Sequence, residues 1–243
     1  MEKSQSISDG INRVSYTLTR SRRKTVGIRV TENGEVKVSA PLNISDKQLK
    51  DIMLKKMSWI VKKQEELKKL YKESCIDKKF VDGDTFLYLG KEYTLKIVKG
   101  VLPERVTFEG SHIVVAIDER KISSNEAECV RSVLKKFYVN KFIEISKERI
   151  DFFAPQIGVC PRKVTVRDQK TRWGSCSIKG NISLNWRLIM APMEVVDYVI
   201  VHELCHMKEM NHSKNYWNLV KSIIPDFDLS RKWLKANGHR LAI

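Results

Sequence analysis

The chain has 243 residues, 42% of them hydrophobic, which is enough for one large domain or two small ones with a buried core. It contains no run of roughly 18 apolar residues, as a membrane helix requires, and no signal-peptide layout, so we expect a cytoplasmic protein without membrane contact. The formal net charge of +16 indicates either a solvated basic surface or non-specific contact with nucleic acid and other polyanions.

The first part of the chain is predicted to form strands followed by a helix. Two segments within residues 14–30 alternate at period two, and Glu32–Gly34 has the composition of a turn into a further strand. Ser45 and Gln48 form a capping box ahead of an apolar stripe. These features predict one long helix over residues 45–73.

Strand patterns resume after this helix. Residues 86–100 and residues 105–117 both favour strands, and Gly110 and Ser111 have the composition of a hairpin turn. Together with the long helix, these strands predict a basic, β-rich N-terminal region of residues 1–120.

The hydrophobic period changes to that of a helix after residue 120. A second long helix is expected from Ser124 to about Phe153, and two short strands at Lys163–Asp168 and Asn181–Leu188. The expected fold class is therefore α+β: a β-rich N-terminal half with one long helix, followed by a compact core of residues 121–243.

Three of the five histidines lie in the stretch Val195–Trp217. After Pro192, a good first-turn residue, the predicted helix is apolar on nearly every side, which indicates burial. His202 and His206 lie four residues apart on one face, the spacing of two nitrogen ligands of one zinc ion. Glu203 is turned about 100° from His202, where it can reach a metal-bound water. The alternative, two core histidines bonded to backbone carbonyls, carries a large desolvation cost.

His212 is a candidate third ligand. On a continuous helix it would lie about 15 Å beyond His202, too far to share a metal with ligand distances of about 2.0–2.1 Å. The chain must turn first, and we place the helix end at Met210–Asn211 because asparagine tolerates a left-handed conformation. Metzincins have glycine where this chain has Glu209, which argues against metzincin geometry. Alternatively, His212 only begins the next element.

Four segments of the second half carry a family likeness. They are TRWGSCS (Thr171–Ser177), NISLNWRL, DYVIVHELCHMKEMNHSKNYW and IPDF (Ile224–Phe227). In this order they resemble the YgjP-like metallopeptidase-domain family, a group of zincins related to the SprT-like and WLM proteins. RSRRKTVGIRV, the helix bearing Trp59 and YLGKEY extend the likeness to most of the chain.

The resemblance implies a compact zincin core made of a supporting helix, a small sheet and an active-site helix. It implies one zinc ion per chain, with His202, His206 and His212 as ligands and Glu203 as the catalytic carboxylate.

The chemistry expected of such a site is hydrolysis by zinc-activated water, with Glu203 as general base. The first candidate substrate is a peptide or protein, aligned along an edge strand for which Asn181–Leu188 is the candidate. Trp173, Gly174 and Ser175 are expected to flank the cleft and contact the substrate. A purely structural role for Trp173 is an equal alternative.

Other functions remain open at this point. Zinc-activated water also attacks phosphorus, and the positive charge favours nucleotides or phosphate esters as substrates. Alternatively, the basic residues 1–120 tether a protease to nucleic acid, or the metal site is merely structural. Tyr216 and Arg187 are candidates either for stabilising an oxyanion or for packing.

Overall fold

The computed structural model of the chain is mixed α+β, with six α-helices and three small sheets in its described part. None of those helices is long and apolar enough to cross a membrane. The chain divides into two compact units, Met1–Ile76 and Asp77–Ile243. The structure describes side chains except at residue 3 and residues 67–74, and it describes residues 3–31, 34–74, 78–122, 125–169 and 172–243.

The first unit is built on a four-stranded sheet. Its strands are β1 (Lys3–Ser8), β2 (Arg13–Ser21), β3 (Gly27–Val30) and β4 (Val36–Pro41), in the spatial order β1-β2-β4-β3. The alternation expected of Val14–Ser21 is present, because Val14, Tyr16 and Leu18 are buried. In the second predicted segment, Lys24–Val30, the strand begins only at Gly27 and its residues do not alternate in burial. Of the predicted turn, Glu32 and Asn33 lie outside the described residues. Gly34 follows them with a φ of 82°.

Two helices share a core with this sheet. They are α1 (Asp46–Lys55), which begins with the capping box of Ser45 and Gln48, and α2 (Met57–Ser74). The prediction of one long helix over residues 45–73 is therefore wrong. The break lies at Lys56, whose N–H bonds to the carbonyls of Met53 and Leu54 and whose φ and ψ are −104° and 3°. The sequence has neither glycine nor proline there, so it carries no local signal for this break.

A second four-stranded sheet opens the second unit. Its strands are β5 (Thr85–Tyr88), β6 (Lys91–Gly100), β7 (Arg105–Glu109) and β8 (His112–Asp118), in the order β5-β6-β8-β7. Gly110 forms the β7–β8 turn with a φ of 58°, as predicted. Leu89 and Gly90, both with positive φ, form the β5–β6 turn. Their N–H groups bond to the carbonyls of Ile189 and Met190, just ahead of the histidine-bearing helix.

One long helix, α3 (Glu126–Ile157), supports the rest of the unit. Asn125 caps its start, and Gly158 ends it in a left-handed conformation. The expected start at Ser124 lies outside the described residues. The Arg149 guanidinium donates two hydrogen bonds, of 2.6 and 2.8 Å, to the Asp197 carboxylate. This ion pair fastens α3 to the histidine-bearing helix.

The division between the two units differs from the predicted one at residue 120. Phe86, Leu95 and Ile113 of the second sheet are buried in one core with Leu134 of α3 and Val196 of the histidine-bearing helix. Because this core is shared, residues 77–120 pack with residues 121–243.

The small sheet of the second unit has three strands. They are β9 (Lys163–Arg167), β10 (Gly174–Cys176) and β11 (Asn181–Asn185), in the order β10-β11-β9. β11 pairs in parallel with β9 and antiparallel with β10. Our choice of Asn181–Leu188 as the edge strand is wrong: Gly174–Cys176 forms the strand beyond it, so β11 is central. Residues Trp186–Met190 form a 3-10 turn.

Candidate active site

The histidine-bearing helix, α4 (Met193–Cys205), lies in the middle of the second unit's core. Pro192 stands at its N-cap, one position ahead of the first turn expected for it. The apolar run after it is buried as predicted: Val195, Val196, Tyr198, Val199, Ile200 and Val201 are each at most 6% exposed. His202 and His206 follow at the C-terminal end of this helix.

The chain leaves α4 earlier than we predicted. The helix ends at Cys205, and the N–H groups of Met207 and Lys208 bond to carbonyls three residues back, which tightens the turn at once. Asn211 does not supply the left-handed residue expected of it, since the non-glycine residues with positive φ in the described ranges are Phe80 and Leu89. The prediction that the helix ends and the chain turns at Met210–Asn211 is therefore wrong.

The early turn brings His212 back beside α4. Ser213 then caps the next helix, α5 (Lys214–Ile223), by accepting a hydrogen bond from the N–H of Tyr216. The last helix, α6 (Phe227–Asn237), follows.

The three histidines form one cluster. One possible ligand atom of each lies within 4.8 Å of those of the other two. The Nε2 atoms of His202 and His212 are 3.3 Å apart. Two tetrahedral zinc ligands at about 2.0–2.1 Å from the metal are themselves about 3.3–3.4 Å apart. The histidine cluster thus has a donor set and a spacing that fit a zinc ion.

Neighbouring groups orient the rings of this histidine cluster. The His206 Nδ1 lies 3.1 Å from the Glu209 carbonyl, so Nδ1 carries the proton and Nε2 keeps its lone pair. The Tyr216 ring stacks on His206 with centroids 4.5 Å apart, and Trp217 stacks on His212 at 5.5 Å. The buried His202 Nδ1 has no hydrogen-bond partner in the described part of the chain.

Burial favours the neutral form of His202 and of His206. It is the main cause that lowers the pKa of His202 to about 3, with smaller contributions from His206, His212 and Arg231. Burial also lowers the pKa of His206, against the opposing bond to Glu209. Neutral imidazole is the form that binds a metal.

Glu203 lies beside the cluster and is only 4% exposed. Burial raises its pKa to about 7, against the opposing charge of Arg172. Its side chain packs directly on the backbone of Gly174: a Cβ atom at that position would stand 2.5 Å from the Glu203 Oε1 and 2.7 Å from its Cγ. The glycine of the WGSCS motif therefore makes room for the carboxylate.

A cavity of about 290 Å³ opens at these groups. Trp173 and Gly174 are among its lining residues, whereas Ser175 is not. Arg231 and Leu234 of α6 also line it, and neither was predicted from the sequence. The IPDF segment locates the start of α6, but no motif or spacing marks these two residues as part of the site. The full lining is Trp173, Gly174, Tyr198, Val199, His202, Glu203, Arg231 and Leu234.

Comparison with known proteins identifies the family of the chain. The model of the YgjP-like metallopeptidase-domain family matches residues 24–237, nearly the whole chain. The chain belongs to this family. A search of curated proteins finds no match. Among solved structures, the crystal structure of the metallopeptidase zymogen of Pyrococcus abyssi abylysin is 25% identical, covers 40% of this chain and 93% of its own, and has a TM-score of 0.31.

Membership of the YgjP-like family defines the activity at the level of the family. The chain is a metallopeptidase domain, for which a metal cofactor and a peptide or protein substrate are implied. The three histidines of the cluster could hold such a metal ion.

Tyr216 and Arg187, which we considered for oxyanion stabilisation, have structural contacts in this YgjP-like domain. The buried Tyr216 hydroxyl donates a 3.0 Å hydrogen bond to the carbonyl of His202. Arg187 pairs with the Asp168 carboxylate and lies over the ring of Trp186 at 4.9 Å. Both side chains thus hold the elements around the cavity together.

Proposed function

We propose that this chain is a zinc-dependent metallopeptidase in which His202, His206 and His212 hold one zinc ion and Glu203 is the general base. The observation that carries the proposal is the 3.3 Å separation of the Nε2 atoms of His202 and His212, next to a cavity that His202 and the buried carboxylate of Glu203 line. A zinc ion bound by three histidines supplies Lewis acidity, which lowers the pKa of water and polarises a carbonyl group.

Glu203 performs the proton transfers in this proposal. Its carboxylate accepts a proton from the attacking water and returns it to the leaving nitrogen of the cleaved peptide bond. Burial raises the pKa of this carboxyl, which makes it a stronger base than an exposed glutamate. The backbone of Gly174 limits the movement of this carboxylate.

The peptide is expected to align along β10, which lies next to the central strand β11 at one edge of the small sheet. An extended peptide can add to such an edge through main-chain hydrogen bonds. In this arrangement Trp173 and Gly174 form the cavity wall, and Ser175 contacts the substrate through its backbone.

The test is cleavage of a peptide library by zinc-loaded protein, followed by mass spectrometry. We expect cleavage by the wild type, its loss with a chelator, and a loss of at least about a hundredfold in Glu203→Gln. Phosphate release from a nucleotide panel, lost in the same variant, with no peptide cleaved, would favour the phosphate-ester hydrolase instead. Salt-sensitive binding of nucleic acid would support the tethered protease.

A further inference from the structure

Among the described residues, the charged side chains that line the candidate cavity are those of Arg231, on α6, and Glu203. The remaining walls are largely apolar or aromatic, including Trp173, Val199 and Leu234. A guanidinium in such a cavity favours a ligand that carries an anionic group.

Arg231 rests on a stack of rings that leads to the histidine cluster. Its Cζ atom lies 5.2 Å from the ring centroid of Trp217. The Trp217 ring also stacks on His212, at 5.5 Å, and on Phe227, at 5.2 Å. This stack fixes the stem of Arg231 without using the hydrogen-bond donors of its guanidinium.

Within the described residues, the donors of Arg231 are only weakly engaged. They pair with the carboxylate of Asp228, one helical turn earlier, at an N–O distance of 3.8 Å. The two side chains are 60% and 64% exposed. An ion pair so long and so exposed contributes little and is readily exchanged for a better acceptor.

We propose that Arg231 is a specificity-determining residue that binds a carboxylate of the peptide substrate. A guanidinium matches a carboxylate with two parallel hydrogen bonds, and a cavity of about 290 Å³ holds little more than one residue. The carboxylate comes either from the C-terminus of a peptide or from an Asp or Glu side chain. This inference rests on the proposed function, because it assigns part of the substrate of the same site.

Binding tests the inference without depending on cleavage. We would measure the Kd of zinc-loaded and zinc-free full-length Glu203→Gln protein for acetylated tetra-alanine with a free or an amidated C-terminus. Amidated peptides with Glu or Gln at each position in turn form the second arm. Carboxylate peptides are expected to bind about tenfold more tightly than their amide partners, and Arg231→Met should remove this difference.

Two further variants sharpen the comparison. Lys232 is the next positively charged residue of α6 and does not line the cavity. Lys232→Met should therefore keep the preference for carboxylate peptides. Arg231→Lys should keep part of this preference, because lysine carries the positive charge but cannot form two parallel hydrogen bonds to a carboxylate. A preference that survives Arg231→Met belongs to the metal or to the general field, and it would overturn the inference.

Cleavage kinetics separate this inference from the proposed function. Arg231→Met should raise KM for carboxylate peptides and so remove the difference in kcat/KM between carboxylate peptides and their amide partners. A fall of kcat on all peptides alike would make Arg231 a catalytic group and overturn the specificity role. If no peptide is cleaved, the proposed function fails, whereas the binding experiment still decides whether Arg231 selects carboxylates.

Discussion

At the scale of single residues, the closest fit in the site is between Gly174 and Glu203. The sequence indicated Glu203 through the HExxH spacing, and the family likeness indicated Gly174 through WGSCS. Neither signal indicated that the two touch, because residues so far apart along the chain meet only after β10 packs on α4. Arg231 was missed for the same reason.

Gly174→Ala tests this fit. The added Cβ would stand 2.5 Å from the Glu203 Oε1, so the carboxylate must move or the strand must shift. We expect the free energy of unfolding to fall by about 1–3 kcal/mol. In a Glu203→Ala background the same substitution should cost clearly less, as measured by urea denaturation. Equal costs in both backgrounds would show that the contact is not the cause.

Asp118 provides a test by pH. Hydrogen bonds from Arg120 hold the pKa of this carboxyl down to about 2. A depressed carboxyl pKa adds stability above the unfolded value, near 3.9, and that stability is lost as the pH falls towards 2. Arg120→Ala should therefore be less stable than wild type at pH 7, and the difference should shrink below about pH 4 in urea titrations. Arg131→Ala, in an exposed ion pair, serves as control. A difference independent of pH would contradict this account.

At the scale of elements, the point at which α4 ends determines where His212 lies relative to His202 and His206. The sequence predicted that the chain must turn before His212, and this is correct. It predicted the turn several residues too late, since it relied on Asn211, whereas the helix ends through tight bonds among Leu204, Cys205, Met207 and Lys208. Boundaries of this kind depend on tertiary packing, here of Tyr216, that no local pattern reveals.

Tyr216→Phe tests how α5 holds this helix end. The carbonyl groups in the last turn of a helix have no partner within that helix. The carbonyl of His202, in the last turn of α4, accepts a hydrogen bond from the Tyr216 hydroxyl instead. Removing the hydroxyl should lower the free energy of unfolding by about 1–3 kcal/mol and speed zinc loss to a chelator. Tyr198→Phe, a buried tyrosine of α4, is the matched control. Unchanged zinc release in Tyr216→Phe would contradict the positioning role.

At the scale of the whole molecule, the sequence predicted the α+β class and the β-rich start of the chain. It divided the chain at residue 120, where the hydrophobic period changes, because a change of period marks a change of element type. The boundary between the two packed units lies elsewhere, between residues 76 and 77. The strands β5–β8 share their core with α3 and α4, and that sharing has no counterpart in a local pattern.

Two fragments test the extent of the second unit. Residues 77–243 should unfold cooperatively, because they retain the whole core around α3 and α4. Residues 121–243 lose Phe86, Leu95 and Ile113, and should therefore expose apolar surface and lose cooperativity. Circular dichroism melts and dye binding distinguish the two cases. A cooperative fold in residues 121–243 alone would support the division at residue 120.

Zinc content per chain tests the central claim most directly. Full-length protein supplied with zinc and then dialysed should retain about one zinc ion, held by His202, His206 and His212. His212→Ala should lose most of it, whereas His112→Ala, on an exposed position of β8, should not. One zinc ion retained in His212→Ala, or none in the wild type, would contradict the three-histidine site.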